Sequence, residues 1–301
     1  MATTSFRAGL VALAAASSLV LAACGDDGST DSGAGGGSES GAGSTGDASE
    51  AQLINDGELV VAMSGEFQPF SYFEGNTLTG FDHDIGQAIA DELGLEMVPQ
   101  TGAFDTLIGG LGANRYDVLI ASMTPTEERA TQVEFSDGYY SSGAQAFVAS
   151  GTECTSLDQM DQPSIGVAAG TTYQDWLNDN GGDWVGEVRT FSSDITALRD
   201  VGTGRLDAAM TDRLVGLYQI NEAGLDLVPC GDPLYTEEPA FAVKKGNTAL
   251  VEELNTALAT IVENGTYGEI STEYFGQDIS GSGGATDDGA GSTDDAATTT
   301  D

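Results

Sequence analysis

Between residues 58 and 276, short apolar runs alternate with stretches whose apolar residues recur every three or four positions. The runs at 58–63 (ELVVAM), 95–99, 117–121, 164–168, 185–191, 205–210, 225–228 and 239–243 have the length and composition of strands, and 69–76 reads as a turn and hairpin. The helical period appears at 82–93, where Ile85, Ile89, Ala90 and Leu93 share a face closed by Gly94, and at 104–111, 172–178, 194–201 and 212–223. It appears again at 248–263, with Leu250, Leu254, Leu258 and Ile261 on one face, and at 267–275. Alternating strand and helix implies parallel sheets with helices on their faces. The pattern restarts after 145–149, so there are two such units. The last two helices have no sheet of their own and are expected to cover the first unit. The chain then crosses between units twice, near 142–145 and 236–241. The fold class is α/β: two Rossmann-like lobes joined by a two-strand hinge.

The flanks differ in character. Arg7 is the single charge before an Ala-rich apolar segment that ends Leu21-Ala22-Ala23-Cys24 and is too short to span a bilayer comfortably. This resembles a bacterial lipobox, which makes 1–23 a lipoprotein signal peptide and Cys24 the lipidated mature N-terminus; the alternative is an ordinary signal peptide cut elsewhere. Residues 24–51 are an acidic Gly/Ser linker and 280–301 a tail of the same composition. The lobes are expected at 52–143 with 238–279, and at 144–237. No later segment is apolar enough to cross a membrane, so the expected product is an exported monomer held at the cell membrane through Cys24 alone. Two cysteines remain, Cys154 and Cys230, and an exported chain with two cysteines reads as having one disulfide. They bracket the second lobe, whose two ends must lie close together on a two-strand hinge. His83 is the sole histidine and no cysteine sits in a CxxC, so neither a metal nor a cofactor is expected. Nine basic residues against 48 acidic leave a net charge of −39, which argues against nucleic acid or an anionic membrane surface as a partner. A surface so charged repels itself and gains from salt that screens it.

The chemistry-bearing stretch is DVLIASMTPTEERA at 117–130. An apolar strand gives way to the hydroxyls of Ser122, Thr124 and Thr126, then to a short helix whose cap is Thr124 or Thr126. Arg129 adds a planar two-pronged donor suited to a carboxylate or phosphate, or else pairs with Glu127 or Glu128 on its own helix. Ligands of open parallel sheets bind beyond the carboxyl ends of the strands. The loops expected at a cleft between the lobes are therefore 64–68, 102–104, 121–126, 168–172 and 211–212.

Several runs, taken in order, resemble the amino-acid-binding, family 3 solute-binding proteins of ABC importers: PFSY at 69–72, GFDHDIGQAIADEL at 80–93, FDTLIGGL at 104–111, TPTEER at 124–129, FSDGYY at 135–140, GRLDAAMTD at 204–212 and NGTYGEI at 264–270. The resemblance implies a type II periplasmic-binding-protein-like fold that closes on an L-amino acid and delivers it to a permease. It implies that Arg129 holds the α-carboxylate with Thr124 and the backbone of Thr172. Asp212 and the Ser122 carbonyl take the α-amino group, Phe67 and Phe104 flank the ligand, and Ala121 lies in the same loop. Where basic-amino-acid and glutamine binders of the family carry an acid this chain has Ser64, and where some carry a lysine it has Ala168; Glu66 replaces the missing acid or points to solvent. These substitutions favour a polar or basic ligand over an acidic one. The alternative is an enzyme on the same scaffold, since cyclohexadienyl dehydratases resemble this family. It needs a general acid in the cleft, and Glu66 or Glu238 would have to serve.

Overall fold

The run Val118-Leu119-Ile120, fully buried, occupies the middle of a five-stranded sheet, as an uninterrupted apolar run should. The computed structural model describes residues 51–280. The expected signal peptide, the lipid-bearing Cys24, and nearly all of the linker and tail lie outside them. The first sheet takes β1 (Glu58–Met63), β4 (Glu96–Thr101), β5 (Val118–Met123), β6 (Val133–Gly138) and β12 (Ala240–Lys244) in the order β4-β1-β5-β12-β6. A small hairpin, β2 (Tyr72–Glu74) with β3 (Thr77–Thr79), follows β1. Helix α1 (Phe81–Leu93) buries Phe81, Ile85, Ile89 and Ala90 and ends on Gly94 in the left-handed conformation, φ 70°. Its N-cap, Gly80, has φ 120°, and a Cβ there would lie 2.3 Å from the Phe70 carbonyl oxygen, so no other residue fits. A 3₁₀ turn at Phe104–Thr106 leads into α2 (Leu107–Gly112), and α3 (Glu127–Ala130) follows β5. The closing helices α7 (Thr248–Glu263) and α8 (Thr266–Phe275) pack on α1, so they do cover the first lobe.

The second sheet takes β7 (Ser142–Ala149), β8 (Ser164–Ala168), β9 (Glu187–Phe191), β10 (Ala208–Asp212) and β11 (Leu227–Glu237) in the order β11-β7-β10-β8-β9. Its helices are α4 (Thr172–Asn180), α5 (Asp194–Gly202) and α6 (Arg213–Asn221). Residues 139–141 and 238–239 link the two sheets. The first link precedes the expected position because Ser142 already pairs with Glu237. Neither sheet is wholly parallel. β12 runs antiparallel to β5 and β6, and β7 antiparallel to β10 and β11, because a strand arriving from the other lobe runs back from the hinge. An aromatic cluster supports the first link: Tyr139 stacks on Phe81 at 6.2 Å and packs against Phe241 at 4.8 Å, and the Tyr267 hydroxyl donates to the Tyr139 carbonyl at 2.6 Å. Aromatic pairs of this kind add about 0.5–1.5 kcal/mol each beyond their buried area. No described helix is long and apolar enough to cross a membrane.

Cys230 on β11 and Cys154 in the loop after β7 form a disulfide with Cα atoms 4.9 Å apart, closing a separation of 76 residues. Constraining so long a loop in the unfolded chain contributes about 2–4 kcal/mol. Cys154→Ser and Cys230→Ser should each lower the urea midpoint by a corresponding amount, and unreduced, unfolded wild type should titrate with neither thiol reactive.

Candidate functional site

At the end of β5 the backbone turns sharply. Ser122 has φ 51°, a left-handed conformation rare outside glycine. Three bonds hold it there. Its N–H donates to the Tyr139 hydroxyl at 2.9 Å, its Oγ donates to Asp82 Oδ2 at 3.1 Å, and the Tyr139 hydroxyl donates to Asp82 Oδ1 at 2.6 Å. Asp82 is fully buried, and burial pushes its pKa up to about 7 against the pull of the bonds from Tyr139 and Ser122. Pro125 then ends the strand and Thr126, not Thr124, caps α3, its Oγ1 accepting from the Arg129 N–H at 3.2 Å.

That turn aims Arg129 between the lobes. Nη1 donates to the Thr124 carbonyl at 2.6 Å and Nη2 to the Gly170 carbonyl, on the second lobe, at 2.9 Å. The guanidinium sits 5.6 Å from the centroid of the Phe104 ring. Burial lowers its pKa, and the fields of Glu237 and Asp175 oppose that. The intrahelical pairing with Glu127 or Glu128 is not made. Two further bonds cross between the lobes: Ser193 Oγ donates to the Glu66 carbonyl at 2.8 Å, and Gln68 Nε2 to the Tyr218 hydroxyl at 3.4 Å. The approach is close enough that a Cβ on Gly170 would meet that of Asp105 at 3.0 Å.

Arg129 lines a cavity of about 460 Å³, within the usual range of small-molecule sites. The first lobe contributes Ser64, Glu66, Phe67, Phe104, Ser122 and Thr124 to its wall, and the second contributes Ala168 and Thr172. Ala121 is not in the wall: it faces the core, 4% exposed, because alternate residues of β5 point to opposite faces. Asp212 is not in the wall either. It is 1% exposed and caps α6, its Oδ1 accepting from the Leu214 N–H at 2.7 Å and from Ser142 Oγ at 2.8 Å. Its Oδ2 has no hydrogen-bond partner. Burial, reinforced by Glu237, raises its pKa to about 7. Arg213, next along α6, does not line the cavity.

Sequence reasoning passed over two carboxylates. Glu238, the candidate acid, is exposed, whereas its neighbour Glu237 is buried and accepts a hydrogen bond from Thr172 Oγ1. Asp194, with Ser192, Ser193, Thr171 and Tyr173, completes the cavity wall. The signal for Asp194 was present, since it follows a strand whose carboxyl end faces the cleft. The chain's abundance of acid leaves Glu237 and Glu238 indistinguishable without the fold. Among the described residues no group of three or more His, Cys, Asp or Glu is placed to hold a metal ion; His83 pairs with Asp84 at 2.8 Å.

Two lobes, a double link and an interlobe cavity with an arginine in its wall describe a solute receptor. The profile of the bacterial extracellular solute-binding proteins, family 3, matches residues 59–277, and the chain belongs to that family. It is similar to the L-cystine-binding protein TcyJ of Escherichia coli (strain K12), 35% identical over 230 residues that span 74% of this chain and 85% of that protein. Among solved structures, an ancestral arginine-binding protein bound to arginine aligns with TM-score 0.69 and 34% identity over 73% of this chain and 98% of that one. The ancestral amino acid-binding protein AncCDT-1, a precursor of cyclohexadienyl dehydratase, aligns with TM-score 0.66 and 30% identity over 73% of this chain and 96% of that one.

Proposed function

We propose that this solute-binding protein is the extracytoplasmic receptor of an ABC importer for an L-amino acid, tethered to the cell membrane through a lipid on Cys24. The observation that carries the reading is Arg129, whose fork already engages a carbonyl on each lobe in the cavity wall. A carboxylate entering there gains two parallel charge-assisted bonds and replaces the interlobe contact with its own. Asp212 supplies the complementary acceptor for the α-ammonium through the oxygen that has no partner in the protein. Its raised pKa reflects the cost of a buried carboxylate without a cation, and an ammonium offsets that cost. Phe67 and Phe104 give the solute apolar walls.

The test is a thermal-shift screen of the mature chain with all L-amino acids, amines and prephenate. A ligand at 100 times its dissociation constant adds roughly 2.7 kcal/mol of apparent stability. The recovered ligand should be chemically unchanged. Prephenate is included because AncCDT-1 is similar: turnover of prephenate, lost in Glu66→Gln, would replace the receptor by a dehydratase. Cys24→Ser should release the protein from membranes, and retention of that variant would refute the lipid tether.

A further inference from the structure

The second lobe brings more carboxylate to the cavity than Arg129 balances. Asp194, Asp212 and Glu237 are all buried, at 4%, 1% and 4% exposure. After burial itself, the fields of Glu237, Asp212 and Asp194 are among the causes that oppose ionisation of one buried phenol, Tyr173, so the three carboxylates share one neighbourhood. Two of them have assigned work. Glu237 accepts from Thr172 Oγ1 and supports the charge of Arg129. Asp212 caps α6 and, in the function proposed above, takes the α-ammonium.

Asp194 has none. It lines the cavity, and its Oδ1 has no hydrogen-bond partner. Thr211 Oγ1, fully buried at the end of β10, has none either. An aspartate in the first turn of a helix is ordinarily explained by capping or by the helix dipole. Here Ser193 is the cap, its Oγ accepting from the Ile195 N–H at 3.2 Å. A dipole contact needs no burial, whereas an ionised carboxylate withdrawn from water requires a cation. Arg129 is the one cationic side chain in the cavity wall, and the proposed α-carboxylate occupies it.

We infer that Asp194 is the specificity-determining carboxylate of the cleft, and that the solute carries a second positively charged nitrogen besides its α-ammonium. The inference rests on the amino-acid reading and narrows it. Two chemistries supply such a nitrogen: the ammonium or guanidinium of a basic side chain, or the second α-ammonium of a disulfide-linked amino acid. The acid on the first lobe that would otherwise do this work is replaced by Ser64, and Glu66 in the same loop is exposed. Recognition of the second charge therefore moves to the other wall.

The experiment is calorimetry on the full mature chain with ligand pairs that differ only in that nitrogen: L-arginine against L-citrulline, L-lysine against L-norleucine, and L-cystine against its mono-N-acetyl derivative. The doubly cationic member of at least one pair should bind roughly tenfold to a hundredfold more tightly. The successful pair identifies the source of the charge. Asp194→Asn should bring that ratio close to one while ligand-free unfolding stays cooperative. The wild-type ratios decide the matter even if the variant does not fold. Equal binding within every pair, or a ratio that survives in Asp194→Asn, overturns the inference and leaves the receptor standing. Failure of every α-amino acid to bind overturns both.

Discussion

Arg129→Ala should weaken binding of the solute found by the screen by about 2–5 kcal/mol, because it leaves the solute carboxylate enclosed without a counter-charge. Arg129→Lys keeps the charge and loses the fork, so it too should bind far more weakly than wild type. Asp212→Asn should cost a similar amount through the α-ammonium. Its folding should be spared, since an amide oxygen still accepts from the Leu214 N–H and Ser142 Oγ, the bonds that Asp212 Oδ1 makes now. Blocking the solute should mirror these changes: its amide should fail at Arg129 and its N-acetyl form at Asp212. Closure makes the two contacts interdependent, so the double variant should lose less than the sum of the singles. Calorimetry decides. An Arg129→Ala protein that binds within a factor of about three of wild type would remove the clamp, and with it the reading of the site.

The ligand-free protein should become more stable as pH falls from about 7.5 to about 5. Asp82, Asp194 and Asp212 are fully enclosed, and burial raises each from an ordinary 3.8 to about 7. Between those values the folded chain holds protons that the unfolded chain has released, so its stability declines as pH rises through the window. One pKa unit corresponds to about 1.4 kcal/mol, and with relaxation of the buried sites the effect is on the order of 1 kcal/mol per group. Carboxylates with depressed values, such as Asp207 beside Ser164, act in the opposite sense but only below the ordinary range. The net charge of −39 adds self-repulsion that acid also relieves. Urea midpoints at the two pH values, at fixed NaCl, measure the total. Asp194→Asn and Asp212→Asn isolate the local part, because each should flatten the slope. A midpoint that is level or higher at the upper pH would show that these carboxylates are not held as the fold implies.

The elements visible in the sequence are those whose burial is one-sided or complete. β1 and α7 occupy the residues their apolar patterns mark, because every apolar position in them faces one core. β6 went unread: it lies at a sheet edge, and most of its residues are only half covered, so Val-Glu-Phe-Ser-Asp-Gly carries no clear period. β11 was read as four residues but extends from Leu227 to Glu237. Pro229, Gly231 and Pro233 look like a turn, yet an edge strand tolerates prolines, and the register shift between Cys230 and Tyr235 absorbs the irregularity. Arg129 and Thr124 stood out in the site because a strand, hydroxyls and a short helix follow one another there. Asp194 and Glu237 did not, since among 48 acids only burial distinguishes those that matter.

The three hydrogen bonds that join the lobes also have a kinetic meaning. A solute reaches the cavity only while Arg129 is parted from Gly170, Ser193 from Glu66 and Gln68 from Tyr218. Capture then proceeds at the rate of an encounter multiplied by the fraction of time the lobes spend apart, and the apparent affinity is reduced by the same fraction. Remade over the solute, those bonds must break again before it can leave, which lengthens its residence. A receptor built this way fills slowly and empties slowly when left alone, so rapid delivery requires a partner at the membrane that prises the lobes apart.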